Sequence, residues 1–255
     1  MAMGRAQVQG LSGFRPPEPS SIDSVDMGPA ILRAPSPDPG DSSVAGRTSI
    51  LVDRTVATER TDWVPLGAGD ALLVIDMQRD FMPGGRLPVP GAAAVVGPLN
   101  RCLEGFARQG LPVFASRDWH PPGHCSFQAQ GGPWPEHCVA GTRGAAFAEG
   151  VKLPPTVGIV SKGWDHSAES PSAFSETDLH ARLRVLGVRR LFIAGLATDS
   201  FVLATAADGR DLGYEVFLLW DAVAGLGARP QDGARAFERM QQAGTVLIGS
   251  HALQA

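Results

Sequence analysis

Arg190-Leu191-Phe192-Ile193-Ala194-Gly195-Leu196-Ala197-Thr198-Asp199-Ser200-Phe201-Val202 is the stretch from which the architecture can be read. Its apolar run up to Ala194 suits a parallel strand buried on both faces. Gly195 permits a tight bend, and Thr198 and Asp199 offer side-chain oxygens that can cap a helix. An apolar-periodic helix is expected from Val202 to Leu212. A strand, a bend and a helix in this order leave backbone N–H groups free at the helix start, where an anion or oxyanion can be held. The residue at the exposed point of such a bend is often a nucleophile. Here it is Phe201, which has no nucleophilic atom.

The same alternation extends on both sides. Upstream, strands are expected at Ala71–Asp76, Pro112–Ser116 and Val157–Ser161, with helices at Ala92–Gln109 and Thr177–Leu186. Downstream, strands are expected at Glu215–Trp220 and Thr245–Ile248, around a helix at Asp232–Gln242. Helix ends are marked by Gly110 and Gly187. Strands that alternate with crossover helices predict an α/β fold: a doubly wound, mostly parallel six-stranded sheet with helices on both faces. This domain spans residues 71–255. Residues 1–45 are rich in Pro, Ser and Gly and are expected to be a disordered or draped extension, because they offer too little apolar surface to offset chain entropy. Residues 46–70 read as an extended arm, with Trp63-Val64-Pro65-Leu66 available to anchor it on the domain or on a neighbouring subunit of a homo-oligomer.

Composition excludes several classes. The chain has 255 residues and a net charge of −4, which argues against a nucleic-acid or polybasic membrane role. No apolar run approaches the roughly 20 residues of a membrane helix. Its three cysteines, Cys102, Cys125 and Cys138, form no CxxC pair, so reduced thiols and a cytoplasmic location are expected.

Ligands of open parallel sheets bind beyond the carboxyl ends of the strands, so those ends carry the functional argument. The first strand ends at Asp76 and the third at Lys162. A carboxylate and an ammonium delivered to one rim suggest a pair whose pKa values are mutually set, suited to proton transfer. After the second strand comes Arg117-Asp118-Trp119-His120-Pro121-Pro122-Gly123-His124, then Trp134-Pro135-Glu136-His137-Cys138. Asp118 and His120 alternate, so an extended segment faces both the same way. One carboxylate with two or three imidazoles suits zinc, iron or manganese with positions left open. Cys138 beside His137 reads as a small buried hydrophobe.

These motifs, in this order, resemble the nicotinamidase branch of the isochorismatase-like (cysteine hydrolase) superfamily. Ile75-Asp76-Met77-Gln78-Arg79-Asp80-Phe81 resembles its D-x-Q-N-D-F opening. Asp118-Trp119-His120-Pro121 with His124 and Ser126-Phe127 resembles D-W-H-P-x-x-H-x-S-F, and Trp134 to Val139 resembles W-P-x-H-C-V. Ser161-Lys162-Gly163 resembles the lysine strand, and Gly195 to Asp199 the G-x-A-T-D segment. The resemblance implies Asp76 as general base and acid, with Lys162 as its charge partner. It implies a divalent metal, zinc first and iron or manganese as alternatives, on Asp118, His120 and His137, with His124 as a fourth ligand. Phe81, Leu87 and Trp134 would line a ring pocket. The backbone at Ala197 and Phe201 would form an oxyanion hole near a cis peptide between Leu196 and Ala197. The implied substrate is a small nicotinamide-like ring amide.

Two positions depart from the pattern. The family's cysteine nucleophile stands where this chain has Phe201, and Arg79 replaces the usual Asn. Ser200 is turned about 100° away on a helix start and makes a poor substitute. Three readings follow: a metal-dependent amide hydrolase without the thiol, a non-covalent isochorismatase-type hydrolase using Asp76 as general acid, and a non-catalytic, metal-dependent binder of a pyridine-like ligand.

Overall fold

The computed structural model describes residues 63–227 and 231–254. The expected extension 1–45 and most of the arm 46–70 lie outside the described residues. In chain order the elements are β1 (Val64–Pro65), β2 (Asp70–Ile75), α1 (Ala92–Arg108), β3 (Val113–Asp118), β4 (Gly158–Lys162), α2 (Leu179–Val185), β5 (Arg190–Leu196), α3 (Leu203–Asp211), β6 (Glu215–Ala224), α4 (Asp232–Gln242), β7 (Val246–Ile248) and β8 (Leu253–Gln254).

Six of the strands form one parallel sheet in the order β4-β3-β2-β5-β6-β7. The chain builds outward from β2 through β3 to β4, then returns to add β5 on the other side of β2. The strand order therefore reverses between β2 and β5, and the crevice beyond their carboxyl ends is where such sheets take ligands. β2 is buried along its whole length, which explains its unbroken apolar run. Leu72 and Val74 face α1, where they pack with Leu99, Leu103 and Phe106. Leu73 and Ile75 face the other way, into the layer of α2, α3 and α4 with Leu183, Val202 and Met240. Each fully buried side chain of this size contributes about 1.5–3 kcal/mol.

Several elements run further than periodicity suggested. β3 continues past Ser116 to Asp118 because its pairing with β4 continues to Asp118 opposite Lys162. β6 reaches Ala224 because pairing with β5 resumes, after a register shift, at Gly195 opposite Val223. Both extensions depend on a neighbouring strand and leave little trace in local sequence.

The opening stretch differs from expectation in its details. Gly195 is still within β5, with φ of 122°, and a Cβ there would overlap the Ile75 carbonyl. Glycine is required for close strand approach, and the turn comes later, at the cis peptide bond between Leu196 and Ala197. Thr198–Val202 forms a π-helical turn with no side-chain cap. Asp199 instead accepts the backbone N–H groups of Leu226 and Gly227, each at 2.9 Å, tying this turn to the segment after β6.

At the opposite end of the sheet, β1 pairs in parallel with β8. Arg190 binds Asp70 through two bonds of 2.6 Å and donates to the Pro65 carbonyl at 2.8 Å, fastening β1 to the main sheet. No described helix is long and apolar enough to cross a membrane.

Candidate active site

Asp76 is the first residue beyond β2, and its φ of 45° turns the chain out of the sheet. Its carboxylate is fully buried. One oxygen accepts the Ser116 hydroxyl at 2.6 Å, and the other lies 2.8 Å from Lys162 Nζ. Lys162, the last residue of β4, is also fully buried and donates to Asp118 Oδ1 at 2.6 Å. The expected Asp76–Lys162 pair is therefore a triad, with the ammonium shared between two carboxylates. Parallel pairing places Asp118 and Lys162 side by side at two strand ends.

Burial pushes the Asp76 pKa up to about 6, against the opposing pull of Lys162. Burial acts on Asp118 in the same sense, but Lys162, His120 and His137 outweigh it and hold that carboxyl below the usual range. Burial disfavours the charged lysine, yet Asp118 and Asp76 raise its pKa and keep it protonated. With both acids ionised the cluster carries one excess negative charge in a buried setting. Either a proton on Asp76 or a nearby cation compensates it.

Asp118, His120 and His137 supply three donor atoms that all lie within 4.8 Å of one another. His120 Nδ1 is 2.9 Å from the Gly163 carbonyl, and His137 Nδ1 is 2.8 Å from that of Pro135. A carbonyl only accepts, so each ring holds its proton on Nδ1 and leaves the Nε2 lone pair free. Asp118 Oδ2 is buried without a hydrogen-bond partner among the described residues, 3.6 Å from His120 Nε2. An unpartnered carboxylate oxygen beside two available imidazole nitrogens fits a divalent ion of the zinc, iron or manganese type.

His124, expected as a fourth ligand, stands apart from this group. Its ring stacks on that of His120 with centroids 4.2 Å apart. Both of its nitrogens are engaged, Nδ1 by the Ser126 hydroxyl at 2.8 Å and Nε2 by the Ala168 carbonyl at 3.0 Å. No lone pair is left for an ion, and the ring acts as packing behind His120.

Phe81 is buried, with its ring centroid 5.7 Å from His137 and 6.2 Å from Phe201. Leu87 is half-buried against the α1-side core, its N–H donating to the Asp80 carbonyl at 2.9 Å. Half-buried Trp134 is held by the backbone bonds between its N–H and Ser126 and between its carbonyl and Gln128. The Phe201 ring lies under the Lys162 ammonium, 3.9 Å from ring centre to Nζ. Ser200 Oγ is buried with no hydrogen-bond partner among the described residues. Cys138 is buried, and burial holds its thiol well above the usual range. Arg79 pairs with Glu149.

Two further buried polar residues at the site, Ser116 and Gln78, carry little signal of their own in the sequence. Ser116 stands two before Asp118, and strand alternation would have placed both on one face. Gln78 binds the Asp118 backbone, and its only signal was its place in the opening motif.

A parallel α/β domain with an acid–lysine–acid cluster and a candidate ion-ligand trio at its switch point belongs among the small α/β hydrolases. Residues 70–252 match the Isochorismatase domain family, and the chain is a member of that family. It is 35% identical over 198 residues to the nicotinamidase of Escherichia coli strain K12, covering 69% of this chain and 93% of that one. Among solved structures it is similar to the pyrazinamidase of Pyrococcus horikoshii in complex with zinc. That match has 46% identity and a TM-score of 0.68, and covers 71% of this chain and 99% of the other. It is also similar to PnC1 of L. infantum in complex with nicotinate, with 35% identity, a TM-score of 0.69, and 76% and 99% coverage.

Proposed function

We propose that this protein is a nicotinamidase-like, metal-dependent hydrolase of a small ring amide, atypical in having Phe201 at the nucleophile position. The observation that carries the reading is the buried ammonium of Lys162 held between Asp76 and Asp118 at 2.8 and 2.6 Å. Burying three charged groups is costly unless they work together, and such costs are concentrated where chemistry is done.

The net reaction converts a ring carboxamide and water into the ring carboxylic acid and ammonia. Asp118, His120 and His137 would hold the ion, which would supply Lewis acidity and make water at the site easier to deprotonate. Asp76 accepts a proton from the attacking water and returns it to the departing amine, and its pKa of about 6 suits both directions. Lys162 keeps the Asp76 carboxylate available and oriented. In this reading backbone N–H groups of Ala197 and Phe201 would face the oxygen that gains charge, and Phe81, Leu87 and Trp134 would enclose the ring.

The position of Phe201 favours a second reading. Its ring occupies the space in front of Lys162, where a thiolate would have to stand, so the site can serve as a metal-dependent receptor for a pyridine-like ligand without turnover. An isochorismatase-type vinyl-ether hydrolysis with Asp76 as acid leaves the ion trio without a purpose and is the least supported. The test is ammonia release from nicotinamide and pyrazinamide, with and without chelator. Chelator-sensitive release supports the hydrolase. Metal-dependent nicotinamide binding without ammonia supports the receptor, and neither binding nor release sinks both.

A further inference from the structure

The turn that follows β2 carries two buried polar side chains, Gln78 and Asp80, to which the reaction above gives no role. The last partners in the β2–β3 ladder are Val74 and Ala115. Beyond them Asp76 turns the chain away, so the end of β3 has lost its neighbour on that side. Gln78 takes its place. Its Oε1 accepts the Asp118 N–H at 2.8 Å, while Nε2 donates to the Asp118 carbonyl at 2.7 Å and to that of Ala145 at 3.0 Å. A side-chain amide that reads both the N–H and the C=O of one residue reproduces the pairing of a strand. It fixes the orientation of that residue without touching its side chain.

Asp80 performs a matching task on the other half of the trio. Its Oδ2 accepts the Cys138 N–H at 2.8 Å, and its Oδ1 accepts that of Arg86 at 3.3 Å. Cys138 adjoins His137, has a φ of 46°, and accepts the His120 N–H on its carbonyl at 3.1 Å. Gly144 leaves room for this carboxylate, since a Cβ there would overlap it. One short turn therefore grips both segments that carry the ion ligands.

We propose that Gln78 and Asp80 are the positioning residues of the ion site, Gln78 setting the Asp118 carboxylate and Asp80 setting the His137 segment. The inference rests on the ion-site reading above. An ion discriminates ligand placement to within about 0.5 Å, and three side chains from the end of β3 and the loops beyond it reach that tolerance only if their backbones are held. Asp118 has the most to lose: Oδ1 is committed to Lys162, so only a correctly turned backbone presents Oδ2 to an ion.

The test is titration of the metal-free protein with Zn2+ and with Co2+, whose visible absorption reports coordination geometry. Gln78→Met keeps the side-chain volume and removes all three bonds. It should weaken Zn2+ binding by roughly 10- to 100-fold and alter the Co2+ spectrum. Leu183→Ala, in the core on the far side of the sheet, should lose stability yet keep wild-type affinity and spectrum. Asp80→Asn, which retains one acceptor for Cys138, should fall between wild type and Gln78→Met. If Gln78→Met does not fold, Gln78→Glu, which keeps the acceptor for the Asp118 N–H, carries the comparison. Wild-type affinity and spectrum in the Gln78 variant, or an equal loss in Leu183→Ala, overturn the proposal while leaving the ion site standing. A wild-type protein that binds neither ion overturns the ion site and this inference together.

Discussion

The Lys162 ammonium stands 3.9 Å from the centre of the Phe201 ring, so the one buried cation of the Asp76–Lys162–Asp118 cluster faces an aromatic surface. An ammonium over a phenyl face gains about 0.5–2 kcal/mol, more where water is excluded. The ring is thus a stable occupant of this position, and it covers one side of the Lys162 ammonium.

Replacing that ring tests how much of the hydrolytic machinery is in place. Phe201→Cys should raise ammonia release from nicotinamide by roughly 1,000-fold or more over the parent protein, the scale on which a covalent nucleophile matters. A folded, metal-loaded variant that stays silent would remove Asp76 and Lys162 from the mechanism.

Lys162→Met should be among the costliest single changes. It leaves two carboxylates buried without their cation, a loss of about 3–5 kcal/mol by urea unfolding. Adding Asp76→Asn should recover part of that loss, since one of the stranded charges disappears. A single variant as stable as wild type would mean that the cluster is already neutralised by protons.

The pH dependence of stability follows from opposite shifts in two acids. Asp76 releases its proton near pH 6 when folded and near the ordinary carboxylate value of 3.8 when unfolded. Between those values the folded state holds more protons, so this residue's contribution is greatest at low pH and is lost as pH rises to about 6. Asp118 is shifted downwards, so its contribution is present above the ordinary carboxylate range and is lost in acid. Urea midpoints of chelator-treated Asp76→Asn should therefore lack the decline between about pH 4 and 6 but keep the acid loss. An unchanged profile would assign that decline to other groups.

Gly163 supports His120 from the β4 side. Its φ is 65°, and a Cβ there would come within 2.6 Å of the His120 ring. Gly163→Ala should cost about 1 kcal/mol or more in stability and also weaken Zn2+ binding, because it pushes aside the His120 ring, whose Nδ1 is held by the Gly163 carbonyl. Unaltered Zn2+ affinity in calorimetry would show that His120 is positioned by something else.

How far the sequence could be read depended on the range of the interactions involved. Asp76, Lys162, Asp118, His120 and His137 were legible as a group because each follows an apolar run or stands in a spaced motif, and a parallel sheet delivers strand ends to one rim. The sharing of Lys162 between two acids was not legible, since it depends on β3 and β4 lying side by side and in register. His124 shows the opposite limit. The family resemblance implied it as a fourth ligand, but Ser126 and Ala168 take both of its nitrogens, and Ala168 lies far along the chain.

The sequence alone determined the alternation of strands and helices, the parallel sheet and the types of side chain at its carboxyl edge, because periodicity and chain connectivity are local properties. It also determined that the bend after β5 carries Phe201. Only the tertiary structure decided which polar atoms meet. It placed Phe201 against Lys162, left Asp118 Oδ2 and two imidazole nitrogens open to one another, and set Gln78 against the Asp118 backbone. Hydrogen bonds and ion pairs act over about 3 Å, and contacts that short between residues distant in the chain, such as Gln78 and Asp118, are fixed by packing and register.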